Sequence, residues 1–354
     1  MINAQLTKIR HISLAAKIIS LVPILSFVGL VLFILSISIG PVNIPFYETI
    51  SILTNGFVGD LDVDEVNRQV ITNIRLPRIL IALLVGSALS VSGATLQGIF
   101  KNPMADPSII GVSSGAATGA VVTMALGISS SSIFLLPLFS FLGGISAALL
   151  VFTLTRVSTS NSNMSFILSG LAIATFLNSI ISLILVSTRE FGELTAILNW
   201  LAGGLQDTRW DHVFIMLPIF VLCMPFFLFY SHKINILSLS DDSASSLGLD
   251  VSRTRFVFSV LTTLLVSISV SICGIIAFIG IMIPHIVRLI TGPDNRIVIP
   301  ISAIFGAVFI LAADFISRTL MVPYEIRLGI ITSFIGAPYF IFLIIKQRKT
   351  IVER

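Results

Sequence analysis

The chain has 354 residues, 55% of them hydrophobic and only 11% charged, against roughly 25% charged in a soluble globular domain. Its mean hydropathy is +1.05. A chain this apolar cannot cover itself with polar surface in water, so the composition excludes a soluble enzyme and calls for a bilayer as solvent. The net charge of +4 comes from 21 Lys and Arg against 17 Asp and Glu, and the positions of those charges along the chain, not affinity for nucleic acid, explain it.

The first apolar run, 18–39, follows Lys8, Arg10 and Lys17. Its length suits a spanning helix of about 20 residues. No small-residue cleavage site follows, so the sequence predicts a first span with a cytoplasmic start and no cleaved leader. Further apolar runs lie near 77–98, 108–127, 133–155, 164–187, 212–231, 254–273, 278–291, 297–318 and 326–346. The expected fold is therefore all-α and polytopic, with about ten transmembrane helices in a single permease domain over 1–354. The run at 278–291 is short, holds Pro284 and His285, and reads as a broken half-helix. The largest pieces between spans are 40–76, 188–211 and 232–253.

With ten crossings and a cytoplasmic start, the 21 Lys and Arg divide 14 inside to 7 outside. That asymmetry places both termini in the cytoplasm. The first outer loop is acidic, with Asp60, Asp62, Asp64 and Glu65. Small residues recur four apart, at Gly86, Ser90 and Ala94 and at Gly111, Gly115 and Gly119. Such faces let helix backbones approach closely in lipid. Cys223 and Cys273 are isolated within apolar runs and read as packing residues. No phosphate-binding loop, His-Glu-x-x-His pair or cluster of metal ligands occurs, so neither an ATP site nor a cofactor nor a metal is expected. Asp314 falls four residues before Arg318, which predicts a local ion pair in place of a proton relay.

Two motif regions frame the second and third spans. Arg75-Leu76-Pro77-Arg78 opens the second span, with Pro77 suited to the first helical turn. Two readings stand for its arginines: interfacial anchoring, or recognition of carboxylates on an extracytoplasmic partner. The stretch from Gln97 to Gly115 contains Lys101-Asn102-Pro103-Met104-Ala105-Asp106-Pro107. Later come Gly280 to Arg288 and Glu325 to Pro338. In this order and spacing, the chain resembles the FecCD family of ABC importer permeases over nearly its whole length after the first helix. It departs from the family at Arg327, where proline is common.

The resemblance implies transport of an iron–siderophore or haem, with cobalamin third, and selectivity residing in a separate binding protein. It implies two permease subunits, identical or homologous, two ATPase subunits, and an extracytoplasmic substrate-binding protein. Carried over by motif, Arg75, Arg78 and Arg318 would dock that binding protein, the last through Ala313-Asp314-Phe315-Ile316-Ser317-Arg318. The polar piece 238–253 can form two short helices joined by a tight turn, with Ser240 or Asp241 and Asp250 as caps and Gly248 as a stop. The family places its ATPase-coupling helices there, which assigns Leu247, Gly248, Leu249 and Asp250 to that contact. The family's cytoplasmic gate falls in 156–165, where two alignments stand: Thr159 with Ser160, or Asn163 with Met164. The rival reading is an ion-coupled secondary transporter of a small organic solute, against which the scarcity of mid-span carboxylates counts. An intramembrane enzyme would need a nucleophile and base or a ligand set, and none stands out.

Overall fold

A computed structural model describes residues 14–55, 64–157 and 163–352. Among the described residues it contains α-helices, short 3-10 and π turns, and no strand. The α-helices are α1 (Leu14–Ser38), α2 (Phe46–Asn55), α3 (Glu65–Gln69), α4 (Leu76–Ile99), α5 (Val112–Ala125), α6 (Leu135–Val157), α7 (Asn163–Ser187), α8 (Phe191–Leu201), α9 (Trp210–Phe229), α10 (Ser231–Leu237), α11 (Asp241–Ser246), α12 (Val251–Cys273), α13 (Ile279–Thr291), α14 (Asn295–Thr319) and α15 (Leu328–Val352).

Each of the ten apolar runs is helical. Seven helices are long and apolar enough to cross a membrane, while α5, α13 and the described apolar part of α15 are shorter. With 13 residues, α13 is about 20 Å long, short of a hydrocarbon core of about 30 Å. The sequence reading did not foresee helices α2, α3, α8 and α10, which occupy the pieces between spans. Each is 11 residues or fewer, too short for hydropathy to separate from a loop.

Helix α4 lies at the centre: 20 of its 24 residues are buried. It packs against α9, α12, α13 and α14. In lipid, apolar side chains gain little by leaving their surroundings, so close backbone approach takes over as the source of contact. At two crossings the approach leaves no room for a side chain. A Cβ on Gly93 would lie 1.8 Å from the Gly280 carbonyl oxygen, and one on Gly86 would lie 2.2 Å from that of Gly306. A third crossing joins α5 to α6, where a Cβ on Gly115 would meet the Gly143 oxygen at 2.4 Å. Gly111 does not share that face. It precedes α5 in a left-handed conformation, φ 74°, as its N-cap.

The periphery is apolar and exposed, as on Phe176 and Leu171 of α7 and Phe334 and Phe342 of α15. That distribution inverts a water-soluble protein and matches a bundle whose outer surface meets lipid or another apolar chain.

Gly93→Val should separate α4 from α13 and lower folded yield and the thermal midpoint in detergent, by an amount corresponding to ~1–3 kcal/mol or more. Gly192→Ala, at a helical site with nothing within 4 Å of the new Cβ, should leave the midpoint within about a degree of the parent.

Candidate functional site

The N-terminus of α4 and the C-terminus of α14 meet at one end of the bundle, and Arg75, Arg78 and Arg318 meet there with them. Pro77 sits in the first turn of α4, and a π-helical turn over 70–75 leads into it. All three guanidiniums point inward, with exposures of 3%, 5% and 3%. Arg78 clasps Glu325 with two parallel hydrogen bonds, Nη1 to Oε1 at 3.1 Å and Nη2 to Oε2 at 2.9 Å. Its Nε donates to Asp314 Oδ1 at 3.0 Å. The other oxygen of Asp314 accepts from Arg318 Nε at 3.1 Å, which is the i,i+4 pair that the sequence predicts.

The remaining donors close the end of α1. Arg318 Nη2 donates to the Ser36 carbonyl at 3.2 Å, and Arg75 donates to the carbonyls of Ile37 and Val42. The last carbonyls of a helix have no partner within it, and a cation there also meets the negative end of the helix dipole. Gly40 makes space: a Cβ there would lie 3.2 Å from Arg75 Nη2. The cluster thus joins three arginines, two carboxylates and a helix terminus. In this conformation the arginines neither project from the surface nor snorkel. They fasten α1, α4, α14 and the segment before α15 to one another.

At the opposite end, Gly98 and Ile99 finish α4 and Lys101 turns the chain with a positive φ of 53°. Ser240 caps α11, accepting from the Ser243 backbone at 3.1 Å, and Asp250 caps α12, accepting from Arg253 at 2.9 Å. Gly248, at φ 81°, makes the turn between them. The second helix is not short, however: α12 runs on for 23 residues, so the turn connects directly to a span. Leu247 is 63% exposed, while Leu249 packs partly against the core. Gly248 and Asp250 are exposed beside them.

Asp241 fastens this turn. It accepts from Lys101 Nζ at 2.9 Å and from Arg255 Nη1 and Nη2 at 2.9 and 2.8 Å. The Arg255 and Lys101 hydrogen bonds hold its carboxyl below the usual carboxylate range. Sequence reasoning considered Asp241 as a cap and missed this role, since neither cation is its helical neighbour. A second tie involves the motif residues themselves. Gln97 Nε2 donates to the Gly280 and Ile281 carbonyls, each at 3.2 Å. Arg288 reaches the Ala94 carbonyl and Asn295 Oδ1, each at 3.0 Å. Asp294, capping α14, also accepts from Asn235 at 2.7 Å. Hydrogen bonding chiefly to Arg296 holds its carboxyl at about 2.

Thr159 and Ser160 lie outside the described residues. Asn163 and Met164 begin α7. No group of three His, Cys, Asp or Glu side chains suited to a metal occurs among the described residues, and Cys223 and Cys273 are both free and buried.

A bundle of long apolar helices defines a polytopic membrane protein, and the sequence relationships say of which kind. The FecCD transport family matches residues 27–346. The cobalamin import permease BtuC of Halobacterium salinarum is 38% identical, covering 80% of this chain and 75% of its own length. The Fe(3+) dicitrate permease FecD of Escherichia coli is 33% identical, covering 89% and 95%. A solved inward-facing structure of a transporter assigned to the metal-chelate ABC type has a TM-score of 0.80 at 32% identity, covering 91% of this chain and 97% of that one. The chain belongs to the FecCD transport family. It is a multi-pass ABC permease of the cytoplasmic membrane, in a family whose members work with ATPase and permease partners.

Arg78→Gln should leave Asp314 and Glu325 short of a countercharge and cost about 3–5 kcal/mol, the penalty for breaking a buried pair from one side, read as a lower thermal midpoint in detergent. The Asp294 tie has a calculable pH window. Its folded value of about 2 lies below the ordinary carboxylate value, so its stabilisation is complete above about pH 4. It is lost as pH falls through about 2. Hydrogen exchange at the start of α14 should therefore be unchanged by that group between pH 7 and about 4, and rise only in stronger acid.

Proposed function

We propose that the chain is the permease subunit of an importer for a large metal chelate or tetrapyrrole: an iron–siderophore or ferric carboxylate, haem, or cobalamin. The relatives named for cobalamin and ferric dicitrate support this range, as does the metal-chelate type of the structural relative. In this reading ten segments cross the membrane, both termini are cytoplasmic, and the arginine cluster faces outward. Two such permease subunits enclose the pathway, and two separate ATPase subunits supply the energy.

The observation that carries the reading is the turn at Leu247–Asp250. An exposed leucine stands at the end of a capped helix, Gly248 turns the chain, and α12 begins within the same few residues. Asp241 binds that unit to the turn that follows α4. Force applied at Leu247 by a closing ATPase is therefore delivered to two spans, which a loose loop would not do. Leu247→Asp or Leu249→Asp would leave a charge desolvated in an apolar docking groove.

For the arginine cluster we propose docking by exchange. Asp314 is buried within the cluster, whereas the Glu325 side chain retains 22% exposure. An acidic residue of the binding protein would displace Glu325 and take over the clasp on Arg78, with Arg75 and Arg318 holding the site's charge. The clasp sits at a partly exposed margin, so the exchange acts mainly on orientation and association rate, both salt-dependent.

Reconstitution with the ATPase tests the function. ATP-dependent uptake of the chelate with the partners present is expected, and uptake by the chain alone on a proton or sodium gradient would favour the secondary-transporter reading instead. Leu247→Asp should reduce assembly or uncouple hydrolysis from uptake, and normal transport would remove the coupling role. Glu325→Gln should strengthen binding-protein docking at low salt and Arg78→Gln should weaken it. Docking indifferent to both would leave the arginines as fasteners alone.

A further inference from the structure

The arginine end contains a cavity of about 500 Å³, within the usual size of a small-ligand site. It lies where the end of α5 and the start of α6 meet α8, the 202–209 loop, the end of α12 and the start of α15. Its frame is rigid. Gly203 and Gly274 both have positive φ, 67° and 68°. A Cβ on either would lie 2.2 Å from a carbonyl oxygen of the other segment, Ile275 or Trp200.

Arg327 lines this cavity. Its Nε donates to Asn199 Oδ1 at 3.2 Å and its Nη1 to Gln206 Oε1 at 2.8 Å. Both partners are neutral amides. They orient the guanidinium without cancelling its charge, and no carboxylate lies within ion-pair distance of it among the described residues. One neutral donor lines the same space. His212 accepts the Arg209 backbone N–H at Nδ1, 3.1 Å away, which makes Nε2 the N–H of the neutral ring. Arg209 and Asp207 also line the cavity, so two arginines against one aspartate leave an excess of one positive charge. An arginine in a membrane bundle without a carboxylate, and a neutral donor beside it in a cavity with an excess of positive charge, together describe a site lacking its anion.

We propose that this cavity binds a carboxylate-bearing anion on the permease itself, with Arg327 supplying the charge and His212 a neutral donor. A planar carboxylate matches the guanidinium fork better than a compact anion does. The inference rests on the importer reading and narrows it: the cargo is a chelate carrying free carboxylates. Arg327 is also two residues from Glu325, so the cavity and the Arg78 clasp share one short segment, and an occupied cavity will bear on the docking cluster.

The test is equilibrium binding to the purified full-length chain in detergent, without ATPase or binding protein, so that its outcome is independent of the transport assay. Citrate, ferric citrate and a neutral ferric trihydroxamate are titrated in turn. Citrate and ferric citrate should bind saturably and the neutral complex should not. Ferric citrate binding more tightly than citrate identifies the chelate as cargo, whereas equal affinity assigns the site to the free carboxylate. Arg327→Gln should weaken citrate binding about tenfold or more, the order expected for a charge-assisted hydrogen bond. Arg327→Lys should retain part of it. His212→Phe keeps an aromatic ring and removes the donor, and should weaken binding less than Arg327→Gln. It serves as the deciding variant if Arg327→Gln fails to fold, since Arg327 also supports Asn199 and Gln206. No saturable citrate binding at millimolar concentration by the parent chain would overturn the proposal, as would affinity unchanged in Arg327→Gln, or in His212→Phe where that variant decides.

Discussion

Helix α4 holds this bundle together through crossings at which its glycines meet a neighbour's backbone directly. Gly93 and Gly86 face the carbonyls of Gly280 on α13 and Gly306 on α14 more closely than any Cβ would permit. Lipid is as apolar as the helix surfaces, so burial alone gives α4 little reason to occupy the centre. Close contact over a long crossing does, through many small dispersion terms. Once α4 is central, its two ends become the two ends of the molecule, and every polar arrangement described above is attached to one or the other.

The ends are built on opposite principles. At the arginine end, charges are buried and matched among themselves, with a helix terminus absorbing the excess. Such a cluster gains specificity of arrangement more than stability, because desolvation offsets much of the attraction. It defines how α1, α4 and α14 finish together and positions Glu325 at the margin. At the opposite end, charges remain partly exposed and the order comes from caps: Ser240 on α11, Asp250 on α12 and Asp294 on α14. Caps make short helices persist in water. A partner's force at that end and a ligand's charge at the other would both be transmitted by helices that already pack against α4.

Much of this was legible in residues 1–354 taken alone. The ten apolar runs appear as helices because about 20 apolar residues in lipid have few alternatives to hydrogen bonding within the segment. The Asp314–Arg318 pair was legible because four residues is one helical turn. The caps at Ser240 and Asp250 were legible because those side chains compete locally for backbone N–H groups. Helices α2, α3, α8 and α10 were not, since short amphipathic segments between spans carry neither the length nor the uniform hydropathy that marks a span. Gly111 was placed on a helix face by its spacing, yet spacing cannot reveal that the helix begins only after it.

The sequence by itself determined the solvent, the class of fold, the family and the local caps, because each depends on composition or on neighbours within a turn or so. Tertiary structure decided which way the arginines point and whom they meet. Arg78 and Glu325 are 247 positions apart, and Arg318 meets the end of α1 across 282. No periodicity connects such positions. The same holds for Arg327, which in the sequence is only a departure from a motif. It becomes an uncompensated charge in a cavity because α8, the 202–209 loop and the end of α12 fold around it and bring amides, an indole and an imidazole but no carboxylate within ion-pair distance of it.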